Sequence, residues 1–167
     1  MKHHIFDLDG TVICSKHRQR LKANGDLDLA HWIAHRADRD LVFKDRLLPL
    51  SRFWFALQAY EEAPAICTSR VVSELEYEYL EKNGLRFSTF MHRTEGDMRG
   101  DAEYKVAKIR DHLEATGWEA SVTTLYEDHA GIREAVKREL GLKVLNPIPL
   151  NGEGYSPSLT GVARWAA

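Results

Sequence analysis

The stretch Ile5-Phe6-Asp7-Leu8-Asp9-Gly10-Thr11-Val12 decides how the rest of the chain is read. An apolar run ends in two carboxylates one residue apart, followed by Gly-Thr. Side chains alternate along a strand, so Asp7 and Asp9 emerge on one side at the run's carboxyl end. In an open α/β sheet that edge is where ligands bind. Two close carboxylates repel each other and are costly to desolvate unless a cation or a shared proton sits between them. Gly10 permits a sharp turn, and the Thr11 hydroxyl can hydrogen-bond the loop that it opens. The arrangement suits Mg²⁺-assisted attack on phosphorus, one carboxylate serving as nucleophile and the other managing the proton.

Size and composition set the frame for that chemistry. At 167 residues the chain fits one domain with a sizeable core. Its hydrophobic content of 44% and charged content of 29% are those of an ordinary globular protein. A net charge of −2 excludes a broad basic face, so any contact with nucleic acid has to be local. Cys14 and Cys67 are isolated in sequence, which argues against a disulfide framework and for a reducing compartment. With no signal peptide and no 18-residue apolar run, the expectation is a cytoplasmic protein without a membrane partner.

Apolar runs at 3–8, 63–68, 121–127 and 143–146, with a weaker one near 87–91, alternate with helical patterns. Such alternation predicts a parallel sheet with helices on its faces. Leu50, Phe53, Trp54, Leu57 and Tyr60 form the clearest amphipathic stripe. Val72, Leu75 and Tyr79 mark a second, closed by Asn83-Gly84. Val106, Ile109 and Leu113 stop at Gly117, and Ile132, Val136 and Leu140 stop at Gly141. About fifty residues separate the first two strands, more than a crossover needs. They contain Lys16, His17, Arg18, Arg20 and Lys22, then an expected helix around 27–37. This reads as a small insert, about residues 13–48, rimming the site. Residues 1–150 are expected to form the domain and 151–167 a tail, with the chain from Asn146 onward irregular and partly mobile. No Gly-x-x-x-x-Gly-Lys-Ser/Thr occurs, so no P-loop kinase domain is expected in this chain.

Further groups follow the strands. The second run leads into Thr68-Ser69-Arg70, where a hydroxyl can donate to a phosphoryl oxygen beside the N–H groups of the next helix. Asp101 and Lys105 are four apart at a helix start and can pair. The run at 121–127 ends in Glu127-Asp128. His31 and His35 have a spacing able to hold a metal but lack a third ligand nearby, and His129 is either a pocket residue or a helix-start histidine. Trp32, Phe43 and Trp54 could stack a base near the insert, although core packing is the simpler reading.

In the order Asp7-x-Asp9, Thr68, Lys105, Glu127-Asp128, these groups resemble the four motifs of the haloacid dehalogenase superfamily, most of whose members are Mg²⁺-dependent phosphatases. The resemblance implies a three-layer α/β/α sandwich with a parallel Rossmann-like sheet. It also implies an aspartyl-phosphate on Asp7 and a proton carried by Asp9. Mg²⁺ would lie on Asp7, the Asp9 carbonyl and Asp128, with Glu127 beside them, and Thr68 and Lys105 would hold the phosphoryl oxygens.

A narrower resemblance is to the 3′-phosphatase domain of bacteriophage-type polynucleotide kinase/phosphatase, over roughly residues 3–149. That family has an arginine eleven residues after the nucleophile, here Arg18, and one closing the second motif, here Arg70. Its third motif, Arg-x-x-Gly-Asp-x-Arg-x-Asp-x-x-x-Lys, is reproduced in full by Arg93–Lys105. The chain departs from the family at Glu127, where the family has Asp, and in its longer insert. The implied partner is a phosphorylated nucleic-acid end, with Arg18, Arg70 and Asp101 on the substrate side. The alternatives are a phosphatase of free nucleotides or another small ester, and a non-catalytic phosphate-binding module. The intact Asp7 and Asp9 argue against the last.

Overall fold

The computed structural model describes residues 2–24, 27–60 and 62–152. In chain order the strands and helices are β1 (His3–Phe6), β2 (Ile13–Cys14), α1 (Leu29–His35), α2 (Arg39–Val42), β3 (Arg46–Leu47), α3 (Ser51–Ala59), β4 (Ala65–Val71), α4 (Glu74–Lys82), β5 (Thr89–Arg93), α5 (Asp101–Thr116), β6 (Thr123–Tyr126), α6 (Ala130–Leu140) and β7 (Lys143–Leu145). Five strands form one parallel sheet in the order β5-β4-β1-β6-β7. The first strand is central, and Asp7 and Glu127 follow directly on the adjacent strands β1 and β6. This is the haloacid dehalogenase fold expected from the four motifs.

Strand alternation builds the three layers. Phe6, Ile66 and Tyr126 point into one core with Trp54, Leu57, Tyr79 and Leu80. Their neighbours Ile5, Ala65, Cys67 and Leu125 point into the other, against Val106, Ile109, Ile132 and Val136. Both faces of the central strands are therefore buried, which is why these strands read as continuous apolar runs. The helix ends follow local chemistry. Ser73 and Glu76 form a reciprocal capping box at the start of α4. Gly117 and Gly141 end α5 and α6 in the left-handed conformation, each at φ 70°.

The insert is pinched at its base by the antiparallel pair β2 and β3, with Ile13 opposite Leu47 and Cys14 opposite Arg46. The helix expected around 27–37 is α1, and a further short helix, α2, follows it; each is capped by an aspartate side chain, Asp28 and Asp38. Strand β4 also runs further than its apolar stretch suggests, to Val71, with an irregular register against β5 between Cys67 and Val71. Thr68, Ser69 and Arg70 thus lie on the strand, and the next helix begins only after Ser73.

The expectation of irregular chain from Asn146 onward is corrected in part. Ile148–Leu150 form a 3-10 turn, and Asn151 is buried against the turn after Asp9. Residues 153–167 of the expected tail lie outside the described residues. Among the described residues no helix is long and apolar enough to cross a membrane.

Trp54 anchors the first core. It has no exposed surface, its ring lies 5.1 Å from that of Phe6, and its indole N–H donates to Gln58 Oε1 at 2.8 Å and to the Arg86 carbonyl at 2.9 Å. Trp54→Ala should lower unfolding free energy by about 3–5 kcal/mol in urea denaturation, the usual loss for a large buried aromatic.

Candidate active site

Asp7, Asp9, Thr68, Arg70, Asp101, Lys105 and Glu127 line one pocket at the carboxyl edge of the sheet. At its floor the Lys105 ammonium donates to Asp7 Oδ1 at 2.6 Å and to Glu127 Oε2 at 2.6 Å. One ligand oxygen from each of Asp7, Glu127 and Asp128 lies within 4.8 Å of the others, and all three residues are buried. Three buried carboxylates and one lysine leave an excess of negative charge. Burial accordingly raises the Asp7 carboxyl to about 8 against the pull of Lys105, and raises Glu127 to about 7. Lys105 itself would be lowered by burial, but Asp7 and Glu127 hold it well above the ordinary lysine value. A site of oxygen ligands with surplus buried anionic charge fits a hard divalent cation. Glu127, one methylene longer than aspartate, uses its reach for Lys105, while its other oxygen accepts the His129 N–H at 3.2 Å.

Asp9 sits in a different field. Burial would raise its carboxyl, but the Arg70 guanidinium and the Ser15 hydroxyl, both hydrogen-bonded to it, hold it below the usual aspartate range. The two carboxylates of the opening motif are thereby separated electrostatically, Asp7 pushed up and Asp9 pulled down. Arg70 Nη1 has no hydrogen-bond partner, and its nearest carboxylate oxygen, on Glu76, is 3.8 Å away. The Ser69 hydroxyl in the pocket wall is likewise unpartnered. Thr68 Oγ1 accepts the Arg70 backbone N–H at 3.3 Å.

Two sequence expectations fail on geometry. Arg18 does not line the pocket. Its Nε and Nη2 engage Asp45 at 3.0 and 2.7 Å, its Nη1 donates to the Arg36 carbonyl at 3.2 Å, and the residue is 1% exposed. It braces the insert, and its burial keeps it out of the pocket where a phosphate would bind. Asp101 does not pair with Lys105 either, but accepts from Arg93 Nη2 at 2.7 Å. Arg93 reaches the Asp97 and Arg99 carbonyls as well, which explains the density of charge in the Arg93–Lys105 segment. It is a folded brace that delivers Lys105 to the floor.

Other candidates resolve into structure. His31 and His35 stack at 4.2 Å, and His35 Nδ1 bonds the His31 carbonyl. The three-residue group close enough to hold a metal among the described residues is Asp7, Glu127 and Asp128. His129 caps α6 by accepting the Ile132 N–H. Phe43 and Trp54 pack in the core. Cys67 is pushed up to about 12 by burial and stays a thiol.

The pocket wall was not foreseen as a unit. Leu27, Leu29 and Trp32 from the insert line the pocket together with Ile132 and the charged floor. Trp32 is held by two guanidiniums, Arg18 at 4.7 Å and Arg70 at 5.1 Å from its ring centre. Only the presence of an insert was legible, because the apolar residues of a short irregular segment show no period.

A family model described as bacteriophage T5 5′-deoxynucleotidase matches residues 1–153. The 5′-deoxynucleotidase of Escherichia phage T5 is 40% identical over 87 residues, which are 49% of this chain and 35% of that protein. The match therefore spans about a third of that relative's length. Among solved structures, a haloacid dehalogenase superfamily hydrolase of subfamily IA from Geobacter sulfurreducens superposes with a TM-score of 0.65 at 16% identity, covering 87% of this chain and 89% of that one. A chain of the Pnkp1/Rnl/Hen1 complex superposes at 0.62 with 18% identity, covering 87% of this chain and 45% of its own length. At these identities the structural neighbours share the fold.

The charge distribution has measurable consequences. A carboxyl raised in the folded state adds stability at low pH that is lost as pH rises through its folded value. In chelator, wild-type melting temperature should fall between about pH 4 and 8 as Asp7 ionises. Asp7→Asn should flatten that fall and melt higher than wild type at about pH 8, by a few degrees. Thermal denaturation in EDTA across this range tests it, and equal melting at the upper pH would show that Asp7 is not under strain. Arg18→Ala should strip the buried Asp45 of its two guanidinium hydrogen bonds, leaving Arg70 at 3.8 Å as its nearest permanent cation, at a cost of about 3 kcal/mol in chemical denaturation.

Proposed function

The chain belongs to the bacteriophage T5 5′-deoxynucleotidase family, within the haloacid dehalogenase superfamily. On that premise we propose that it is a Mg²⁺-dependent phosphoric monoester hydrolase acting on free 2′-deoxynucleoside 5′-monophosphates. The observation that carries the choice of a small substrate is the fate of the two arginines. Arg18 is buried on Asp45 inside the insert, away from the pocket, and Arg70 turns its Nε and Nη2 onto Asp9, while the wall above the floor is Leu27, Leu29 and Trp32. A polynucleotide end needs cations for its further phosphates. A single nucleotide needs one phosphate site and an apolar or aromatic surface for its nucleoside.

In the proposed reaction Asp7 attacks phosphorus in line and Asp9 protonates the departing O5′. The bond to the sugar breaks, leaving an aspartyl-phosphate on Asp7. Asp9 then takes a proton from water, which attacks phosphorus and releases inorganic phosphate with Asp7 restored. Lys105, between Asp7 and Glu127, offsets the charge of nucleophile and phosphoryl group together, and Thr68 offers its hydroxyl to a phosphoryl oxygen. Arg70 grips Asp9 through Nε and Nη2. A phosphate dianion competes for the same guanidinium, and an Asp9 released from it is free to carry the proton. Asp7, the Asp9 carbonyl and Asp128 would hold Mg²⁺, with Glu127 ordering them. When bound, the ion screens the approach of two anions and stabilises charge on the phosphoryl oxygens. The absence of a membrane-crossing helix among the described residues is compatible with work in the cytoplasm, the compartment proposed here.

The second reading, a polynucleotide 3′-phosphatase in end repair, is favoured by the Arg-x-x-Gly-Asp-x-Arg-x-Asp-x-x-x-Lys pattern at Arg93–Lys105. One panel separates the two: 5′-dNMPs, 3′-dNMPs and a 3′-phosphorylated oligonucleotide, each with Mg²⁺ and with excess EDTA. The expected result is turnover of 5′-dNMPs above the other two, lost in EDTA and reduced roughly 10³-fold or more in Asp7→Asn. Preferred turnover of the oligonucleotide would establish the second reading instead.

A further inference from the structure

The turn after Asp9 is a knot of short hydrogen bonds. The N–H groups of Thr11, Val12 and Ile13 all point to the Leu8 carbonyl, at 3.2, 2.9 and 2.9 Å, and the Gly10 N–H reaches the Ile13 carbonyl at 2.9 Å. Gly10 takes φ 75°, which only glycine adopts cheaply. The carbonyls of Gly10 and Thr11 receive their donors from far along the chain. Asn151 Nδ2 donates to Gly10 O at 3.3 Å and to Thr11 O at 3.1 Å. The same side chain's Oδ1 accepts the Leu50 N–H, at the start of α3, at 2.9 Å. Asn151 is 7% exposed, so these contacts are made out of water.

We infer that Asn151 is a positioning residue for the catalytic turn, clamping the peptides that follow Asp9 to the start of α3. A planar carboxamide suits the task, because it offers an acceptor and two donors on one rigid group. The surroundings admit one orientation, oxygen towards the N–H and nitrogen towards the two carbonyls. The approach is stiff as well. Pro147 and Pro149 restrict the backbone of the 3-10 turn, and the Asn151 N–H closes it onto the Pro147 carbonyl at 2.9 Å. The Gly10 and Thr11 peptides are the next links after Asp9, so a turn free to rock would carry the Asp9 carboxylate and its carbonyl with it. Loss of alignment at reacting groups lowers turnover steeply with little effect on binding.

The inference rests on the proposed role of Asp9, so its test carries a readout that needs no substrate. Asn151→Ala and Asn151→Asp are compared with wild type and with Asn146→Ala, which disturbs the same segment without touching the turn. Asn146 Oδ1 accepts only a local contact, the Ile148 N–H at 3.1 Å. Amide hydrogen exchange in the substrate-free protein should speed up about tenfold for residues 10–13 in both Asn151 variants, while β1 and β6 amides stay protected. With 5′-dNMP and with a small aryl phosphate as probes, kcat should fall about ten- to a hundredfold with KM within about twofold. Asn151→Asp should be at least as impaired as Asn151→Ala, since it keeps the acceptor for Leu50 but loses both donors. Asn146→Ala should match wild type in both readouts. Unchanged exchange at 10–13, wild-type kcat, or faster exchange spread equally over the sheet would each overturn the inference. If no phosphate ester is turned over by wild type, the functional reading fails, and the exchange data alone decide the positional one.

Discussion

A buried ammonium between two carboxylates organises this molecule. Lys105 reaches Asp7 and Glu127 at the same 2.6 Å, and the residue is 2% exposed. Neither the lysine nor the acids tolerate such burial alone, and together with Asp128 they still carry surplus negative charge. The sheet order meets that demand. With β1 between β4 and β6, Asp7 and Glu127 leave adjacent strands side by side, and α5 brings Lys105 to them from just past its first turn. The brace of Arg93 on Asp101 and on the Asp97 and Arg99 carbonyls fixes where that turn starts. Packing of the surrounding cores holds these groups together against their own charge.

A second charge system stands beside the first and has a different purpose. Arg18, Asp45, Arg70, Asp9 and Glu76 run from the insert to the floor, and Trp32 lies against both arginines. The insert is short and its two helices have seven and four residues, too few to be stable alone. Its shape depends on the buried arginine that the sequence pattern suggests for substrate. Function and structure share the same chain of charges, because Arg70 belongs both to the insert's support and to Asp9.

Much of this was legible in the residues themselves. The apolar runs, the helical stripes and the glycine stops predict a parallel α/β sheet, since alternation and periodicity are local properties of the chain. The Asp7-x-Asp9 pair, Thr68, Lys105 and Glu127-Asp128 follow strands or open a helix, where the backbone alone decides that they face one edge. Those groups converge on one pocket and one carboxylate cluster. Partner choice was not legible. Arg18 and Arg70 look alike in sequence, yet one is closed off by Asp45 and Arg36 and the other holds Asp9. Asp101 lies four residues from Lys105, yet Arg93 claims it. Long charged side chains choose among several neighbours within reach, and the choice depends on which of them the fold buries together. Asn151 shows the same limit, since its contacts span 101, 140 and 141 residues. Sequence alone determined the sheet and which polar groups meet at its carboxyl edge, because both arise from local spacing. Tertiary structure alone decided which charges neutralise one another and what walls the pocket, because these arise from packing between segments distant in the chain.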